Sequence, residues 1–264
     1  ILGPEVNEFE NALADFAGAK HAVSVANGTD ALLIALMAEG VTVGDAVFLP
    51  SFTFTATAGV IIQCGATPVF CDVKEADFSI DLESLQATLK SVRQEGVLRP
   101  RAVIAVDLFG LPSDYKKLRD FADENELFLI SDAAQSFGAK YQNQRVGTLA
   151  PATTTSFFPA KPLGCYGDGG AILTNSAERA EIYQSIRAHG QGREKYDVTR
   201  FGFNSRLDTL QAAVLLAKLE VFEEELSLRE QHARHYDKAL AETPIVRPRY
   251  FSDRLSAWAQ YSVL

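Results

Sequence analysis

The sequence predicts an α/β protein with parallel strands, and two observations carry that reading. Short β-rich apolar runs alternate with helix-period stretches along most of the chain, the order that parallel strands joined by crossover helices require. At 264 residues and 47% apolar content, the chain can also fill a large core.

Taken in order, Pro4 at a first helical position opens an amphipathic stretch with Val6, Phe9, Leu13 and Phe16, and Gly18 closes it. A strand over 21–25, a tight turn at Asn27-Gly28-Thr29 and a helix over 30–39 follow. Further strands are expected at 46–49, 67–70, 102–106, 127–131, 154–157 and 171–174, with helices at 54–63, 82–94, 113–125 and 177–188. From Leu207 to about Ala241 one long helix is expected, about 50 Å at 1.5 Å per residue, the length of a connector between domains. It carries Leu210, Val214, Ala217, Val221 and Leu228 on one face and a solvated Glu223-Glu224-Glu225 cluster. Pro244 and Pro248 break it, and 259–264 reads as a last strand. The domain division expected from this pattern is 1–240, with the long helix included, and 241–264 as the start of a smaller C-terminal domain.

Lys+Arg number 25 against 34 Asp+Glu, so a net charge of −9 disfavours nucleic acid or an anionic membrane as partner. Cys64, Cys71 and Cys165 form no spaced set, and no apolar run approaches the ~18 residues of a spanning helix. A soluble protein of a reducing, cytoplasmic compartment is expected. The chain starts at Ile1 without an initiator Met or a signal peptide, so a cut end is also expected.

Three segments could carry chemistry. Asn27-Gly28-Thr29 leads into a helix whose free N–H groups and dipole suit a phosphate, although such turns are more often punctuation. Asp132, in Ser131-Asp132-Ala133-Ala134-Gln135-Ser136, stands just past an apolar strand, where open α/β sheets bind ligands. It could pair with a protonated heterocyclic nitrogen, with Gln135 contacting the same ring, or simply cap a following helix. In Ser156-Phe157-Phe158-Pro159-Ala160-Lys161-Pro162-Leu163-Gly164, two prolines bracket Lys161 and forbid an ordinary helix, and Gly167, Gly169 and Gly170 follow. A lysine fixed in that setting is a candidate amine nucleophile with a lowered pKa. His232 and His235 lie at i, i+3 on the long helix, but without a third ligand no metal is expected.

Together these segments resemble the DegT/DnrJ/EryC1 family of sugar aminotransferases. The resemblance runs in order through Gly3-Pro4-Glu5-Val6, Asn27 to Leu32, Pro50 to Phe54, Asp132 to Ser136, Ser156 to Gly170 and Gly202 to Asp208. It implies the aspartate-aminotransferase type fold (PLP fold type I), a mostly parallel sheet with helices on both faces, and pyridoxal 5′-phosphate (PLP) as cofactor. It further implies Lys161 as the Schiff-base lysine and proton-moving base, and Asp132 as the partner of the ring nitrogen. Gln135 is implied at the ring hydroxyl, Phe54 stacked on the ring, and Gly28, Thr29 and Ser156 around the phosphate. Phe54 reads equally well as a core residue. Asn204 is implied at the cofactor phosphate and Arg206 at the substrate, both reaching across a homodimer interface to build shared sites. His189 is assigned to the sugar pocket, with a solvent-exposed role as the alternative.

Within the family the motifs look most like enzymes that aminate C3 of UDP-2-acetamido-2-deoxy-3-oxo-glucuronate with glutamate, for bacterial surface polysaccharide. The partners implied are a nucleotide-linked keto-sugar and glutamate. Family members extend beyond both ends of this chain, so the small C-terminal domain is expected to be truncated. A PLP-dependent sugar dehydratase of the same family would carry His in place of Lys161. A PLP-binding, oligomer-forming protein without turnover is the remaining alternative.

Overall fold

The computed structural model describes residues 1–192, 194 and 196–264. Helix α1 (Pro4–Ala17) starts at the proline and stops where Gly18 turns left-handed at φ 69°. There follow β1 (His21–Val25), α2 (Gly28–Ala38), β2 (Asp45–Pro50), α3 (Thr55–Gln63), β3 (Thr67–Cys71), α4 (Leu82–Glu95) and β4 (Arg99–Val106). After a short 3-10 turn come α5 (Tyr115–Glu124), β5 (Phe128–Asp132), the hairpin β6 (Lys140–Tyr141) and β7 (Gln144–Arg145), then β8 (Ala152–Ser156) and β9 (Gly170–Thr174). The chain continues through α6 (Ala177–Arg187), the 31-residue α7 (Thr209–Ala239) and β10 (Arg254–Leu255).

Seven strands form one sheet in the order β1-β9-β8-β5-β4-β2-β3. The β8–β5–β4–β2–β3 block is parallel, and β9 runs antiparallel to both β1 and β8. The fold is therefore the expected α/β arrangement with a mostly parallel sheet. Side chains alternate across it with period two. Val47, Leu49, Ile104 and Ile130 join α2, α3 and α6 in one core layer. Ala46, Phe48, Val103 and Leu129 meet α4 and α5 on the other face, and Phe9, Leu13, Phe157 and Leu173 join α1 and α7 beside them.

Several boundaries differ from the sequence reading, each for a physical reason. Helix α2 begins at Gly28 rather than 30, because Asn27 caps it by accepting the Asp30 N–H at 2.8 Å. The strand expected at 154–157 lies at Ala152–Ser156. Its threonines are buried, and the Thr154 and Thr155 hydroxyls each donate to a carbonyl at 3.3 Å, so their polarity does not expel them from the sheet. The strand expected at 259–264 is absent. There Ala257 and Gln260 donate to the Gly110 and Phe109 carbonyls, and Leu264 exchanges a single pair of bonds with Val246, so the segment follows a loop and builds no ladder. The strand of this region is β10, antiparallel to β6.

Helix α7 has two apolar faces. Ala212, Leu215 and Phe222 are buried against the body, whereas Leu210, Val221 and Leu228, on the stripe noted in the sequence, are exposed. Among the described residues no helix is long and apolar enough to cross a membrane.

A buried ion pair fastens the sheet edge. Arg187, at the end of α6, contacts Glu10 of α1 and donates to the Ser24 carbonyl at 2.7 Å, while Glu10 accepts the Ser24 N–H at 2.8 Å and its hydroxyl at 2.7 Å. Both side chains are about nine-tenths buried, so loss of one charge strands the other. Glu10→Gln is expected to cost roughly 3–5 kcal/mol in urea unfolding. A loss below about 1 kcal/mol would show that the Arg187 charge is compensated elsewhere.

Candidate active site

Strands β4, β5 and β8 run parallel with Val106, Asp132 and Thr154 in register, so Asp107, just past β4, Asp132 and Ser156 are delivered to one edge of the sheet. That is the carboxyl edge, where open α/β sheets place ligands. A cavity of about 490 Å³ opens there, lined by Asn27, Gly28, Thr29, Phe54, Thr57, Asp132, Gln135, Ser156, Lys161 and Asp168 among others.

Its phosphate-sized corner is built by close approach. A Cβ on Gly28 would lie 2.6 Å from the Ser156 Cβ, and one on Gly170 would lie 2.5 Å from the Asn27 carbonyl. Glycine at both positions lets the first turn of α2 press against the ends of β8 and β9. The Asn27 side chain is taken by Asp30, and among the described residues the N–H groups of Gly28 and Thr29 stay free at the positive end of an 11-residue helix, with Ser156 alongside.

Lys161 sits on a tightly folded loop. Its N–H donates to the Phe158 carbonyl at 2.8 Å, and Cys165 N–H donates to Phe157 at 2.8 Å. The buried Cys165 thiol lies 3.0 Å from the Phe157 carbonyl and 3.1 Å from that of Gly167. From α7, Lys218 donates to the Gly164 carbonyl at 2.6 Å, and Gln211 accepts the Tyr166 N–H at 2.8 Å. Burial pulls the Lys161 amine below the ordinary lysine range, and the Asp132 charge opposes that shift.

Asp132 is 7% exposed. One oxygen accepts the Ala134 N–H at 3.1 Å; the other has a long 3.5 Å contact from the Thr57 hydroxyl. No helix follows β5, since 134–138 is a series of turns, so the helix-cap alternative is corrected. Burial raises the Asp132 pKa against the Ala134 bond and the Lys161 charge. Such a carboxylate favours a cation placed beside it. Gln135 accepts the Phe109 N–H at 2.5 Å through its side-chain oxygen, which leaves its amide N–H groups as donors.

Phe54 also lies at the cavity, 70% exposed, so the core-residue alternative is corrected. The structure brings together Gly28, Thr29, Phe54, Asp132, Gln135, Ser156 and Lys161. It does not bring Asn204, Arg206 or His189 into this chain's cavity. Asn204 is exposed and accepts from Arg206 Nε at 2.9 Å. The buried Ser205 between them anchors the segment, accepting the Ala26 N–H and donating its own N–H to Arg187. His189 is exposed, with φ 63°. Thr57, Asp107 and Asp168 are cavity residues that sequence reasoning missed. Asp107 could have been found as another acid just beyond an apolar strand, Ala102 to Val106. Among the described residues no group of side chains could hold a metal ion.

The donor set fits a phosphorylated, cationic heterocycle that reacts with an amine. Helix N–H groups and a serine suit the phosphate, an under-bonded buried carboxylate suits a ring N–H⁺, and a lysine of lowered pKa suits a carbonyl carbon.

Comparison with known proteins agrees. The chain is 48% identical over 263 residues to the UDP-2-acetamido-2-deoxy-3-oxo-D-glucuronate aminotransferase of Pseudomonas aeruginosa, all of this chain and 71% of that protein. A DegT DnrJ EryC1 StrS aminotransferase from Brucella abortus superposes with a TM-score of 0.98 at 49% identity, covering 100% of this chain and 70% of that one. NtdA from Bacillus subtilis, solved with bound cofactor PMP, superposes at 0.86 with 29% identity, covering 99% and 58%. The DegT/DnrJ/EryC1/StrS aminotransferase family matches residues 1–264, and the chain belongs to this PLP-dependent family.

Proposed function

We propose that the protein transfers the amino group of glutamate to a nucleotide-linked keto-sugar, at C3 of UDP-2-acetamido-2-deoxy-3-oxo-glucuronate, for surface polysaccharide. The observation that carries the reading is the convergence of Lys161, Asp132 and the Gly28/Thr29/Ser156 corner on one cavity. The named relative from Pseudomonas aeruginosa supports the sugar.

When bound, PLP supplies a carbonyl that takes up the amino group and a conjugated ring that accepts electron pairs. Gly28, Thr29 and Ser156 would hold the phosphate. Asp132 would keep the ring nitrogen protonated, and Gln135 would donate to a ring oxygen. Phe54 would cover the ring face and exclude water from it. Lys161 has two tasks, holding the cofactor and moving a proton at the carbon that gains or loses the amine. Burial favours its neutral form, as both tasks require.

The reading includes a homodimer with shared sites. Asn204 and Arg206 stand outside this chain's own cavity, and α7 exposes the Leu210, Val221 and Leu228 stripe just beyond them. Arg206 would then face a substrate anion, for which a guanidinium offers paired hydrogen bonds.

Two measurements test these statements. Glutamate-dependent amination should favour a UDP-linked 3-oxo uronic acid over neutral dTDP-linked keto-sugars by about 10² or more in kcat/KM, and equal turnover would refute the assigned sugar. Lys161→Ala and Asn204→Ala chains, each inactive alone, should recover about a quarter of wild-type activity when mixed 1:1 with free subunit exchange. Half the dimers would then be mixed, and each mixed dimer has one intact site of two. No recovery after confirmed exchange would place the site within one chain.

A further inference from the structure

Asp107 directly follows β4 beside Asp132, fully buried, and its carboxylate takes no part in the chemistry described above. Three donors converge on it. The Ser113 N–H at 2.8 Å and the Tyr115 hydroxyl at 2.9 Å reach one oxygen, and the Ser136 hydroxyl at 2.7 Å reaches the other. An ionised carboxylate only accepts and so takes all three bonds as donated, whereas a protonated acid keeps them only if the Tyr115 or Ser136 hydroxyl turns round to accept. Burial works the other way and pushes the Asp107 carboxyl up to about 6. Its titratable neighbours are Tyr115, itself 2.5 Å from the Ser131 hydroxyl, and Asp132 on the next strand.

The partners of Asp107 belong to two loops. Ser113 and Tyr115 lie after β4; Ser136 lies in the turns after β5, next to Gln135 and four residues from Asp132. Two further bonds join the same loops. The Asp107 N–H donates to the Asp132 carbonyl at 3.1 Å, and the Phe109 N–H donates to the Gln135 side chain at 2.5 Å. Phe109 holds a left-handed φ of 62°, a strained backbone for a non-glycine residue that persists only where its surroundings fix it. Gln135 lies on the loop after β5 and Asp132 at the strand end from which that loop departs, so the Asp107 carboxylate, through Ser136, ties the segment that carries both to the loop after β4.

We propose that Asp107 is a positioning residue for the ring end of the PLP pocket, tying the loop after β5 to the loop after β4 so that Asp132 and Gln135 meet the ring together. The inference rests on the PLP reading above. It extends that reading to a buried acid that acts through its neighbours.

The test compares wild type, Asp107→Asn and Ser136→Ala as purified holoproteins. It reads three quantities: the melting temperature, the dissociation constant for PLP, and the pH titration of the visible band of the bound cofactor. Asp107→Asn should bind PLP about tenfold more weakly, the scale on which outer hydrogen-bond partners act at metal centres, with a displaced band titration. Ser136→Ala keeps the buried charge and removes only the tie to the second loop, so it should shift both readouts in the same direction by less. If Asp107→Asn does not fold, Ser136→Ala decides. A folded variant with a lowered melting temperature but wild-type PLP affinity and titration would overturn the proposal and leave the network purely structural. A wild-type chain that develops no visible band with PLP overturns the PLP reading and this inference together.

Discussion

Asp132 is a carboxylate held where water scarcely reaches it, with one sound hydrogen bond and, among the described residues, no cation in contact. Leaving a charge in that condition costs several kcal/mol unless something positive stands beside it. The architecture around it serves that need. Strand β5 carries Asp132 to the carboxyl edge, the turns after it satisfy one oxygen from Ala134, and the other oxygen is left toward a cavity that Lys161 shares. The same burial draws the lysine toward its neutral form. A cationic ring nitrogen near Asp132 and a carbonyl carbon near Lys161 would meet both demands at once.

The precision of the site comes from backbone contacts more than from side chains. Gly28 against Ser156 and Gly170 against Asn27 bring the start of α2 onto the ends of two strands that run in opposite directions. Neither approach would survive a methyl group. The Lys161 loop is closed by its own carbonyls and fastened from α7 through Gln211 and Lys218, so the long helix both braces that loop and offers a second apolar face outward. The stripe that the sequence shows, with Leu210, Val221 and Leu228, is the outward face, and Ala212, Leu215 and Phe222 make the buried one.

Most of the fold was legible because strand and helix periods alternate cleanly: 21–25 and 82–94 needed almost no revision. Failures arose where tertiary contacts overrule local pattern. The buried threonines of β8 look polar in sequence, and 259–264 looks like a strand although its N–H groups bond loop carbonyls. In the site, Lys161 and Asp132 were legible from proline bracketing and strand-end position. Asp107 offers the same strand-end signal, but its hydrogen-bond network does not show in the sequence, since its donors come from residues 6 to 29 positions away that only the fold assembles. Asn204 and Arg206 carry a sequence signal, yet they do not line this chain's cavity beside Lys161 and Asp132.

The central claim is that this cavity holds PLP through Lys161, and the most direct test is chemical. The protein is loaded with PLP, reduced with borohydride, digested and mapped by mass spectrometry. The cofactor should remain on the peptide containing Lys161, and Lys161→Ala should retain none of it. A reduced adduct on Lys140 or Lys218 instead, with Lys161 unmodified, would contradict the account.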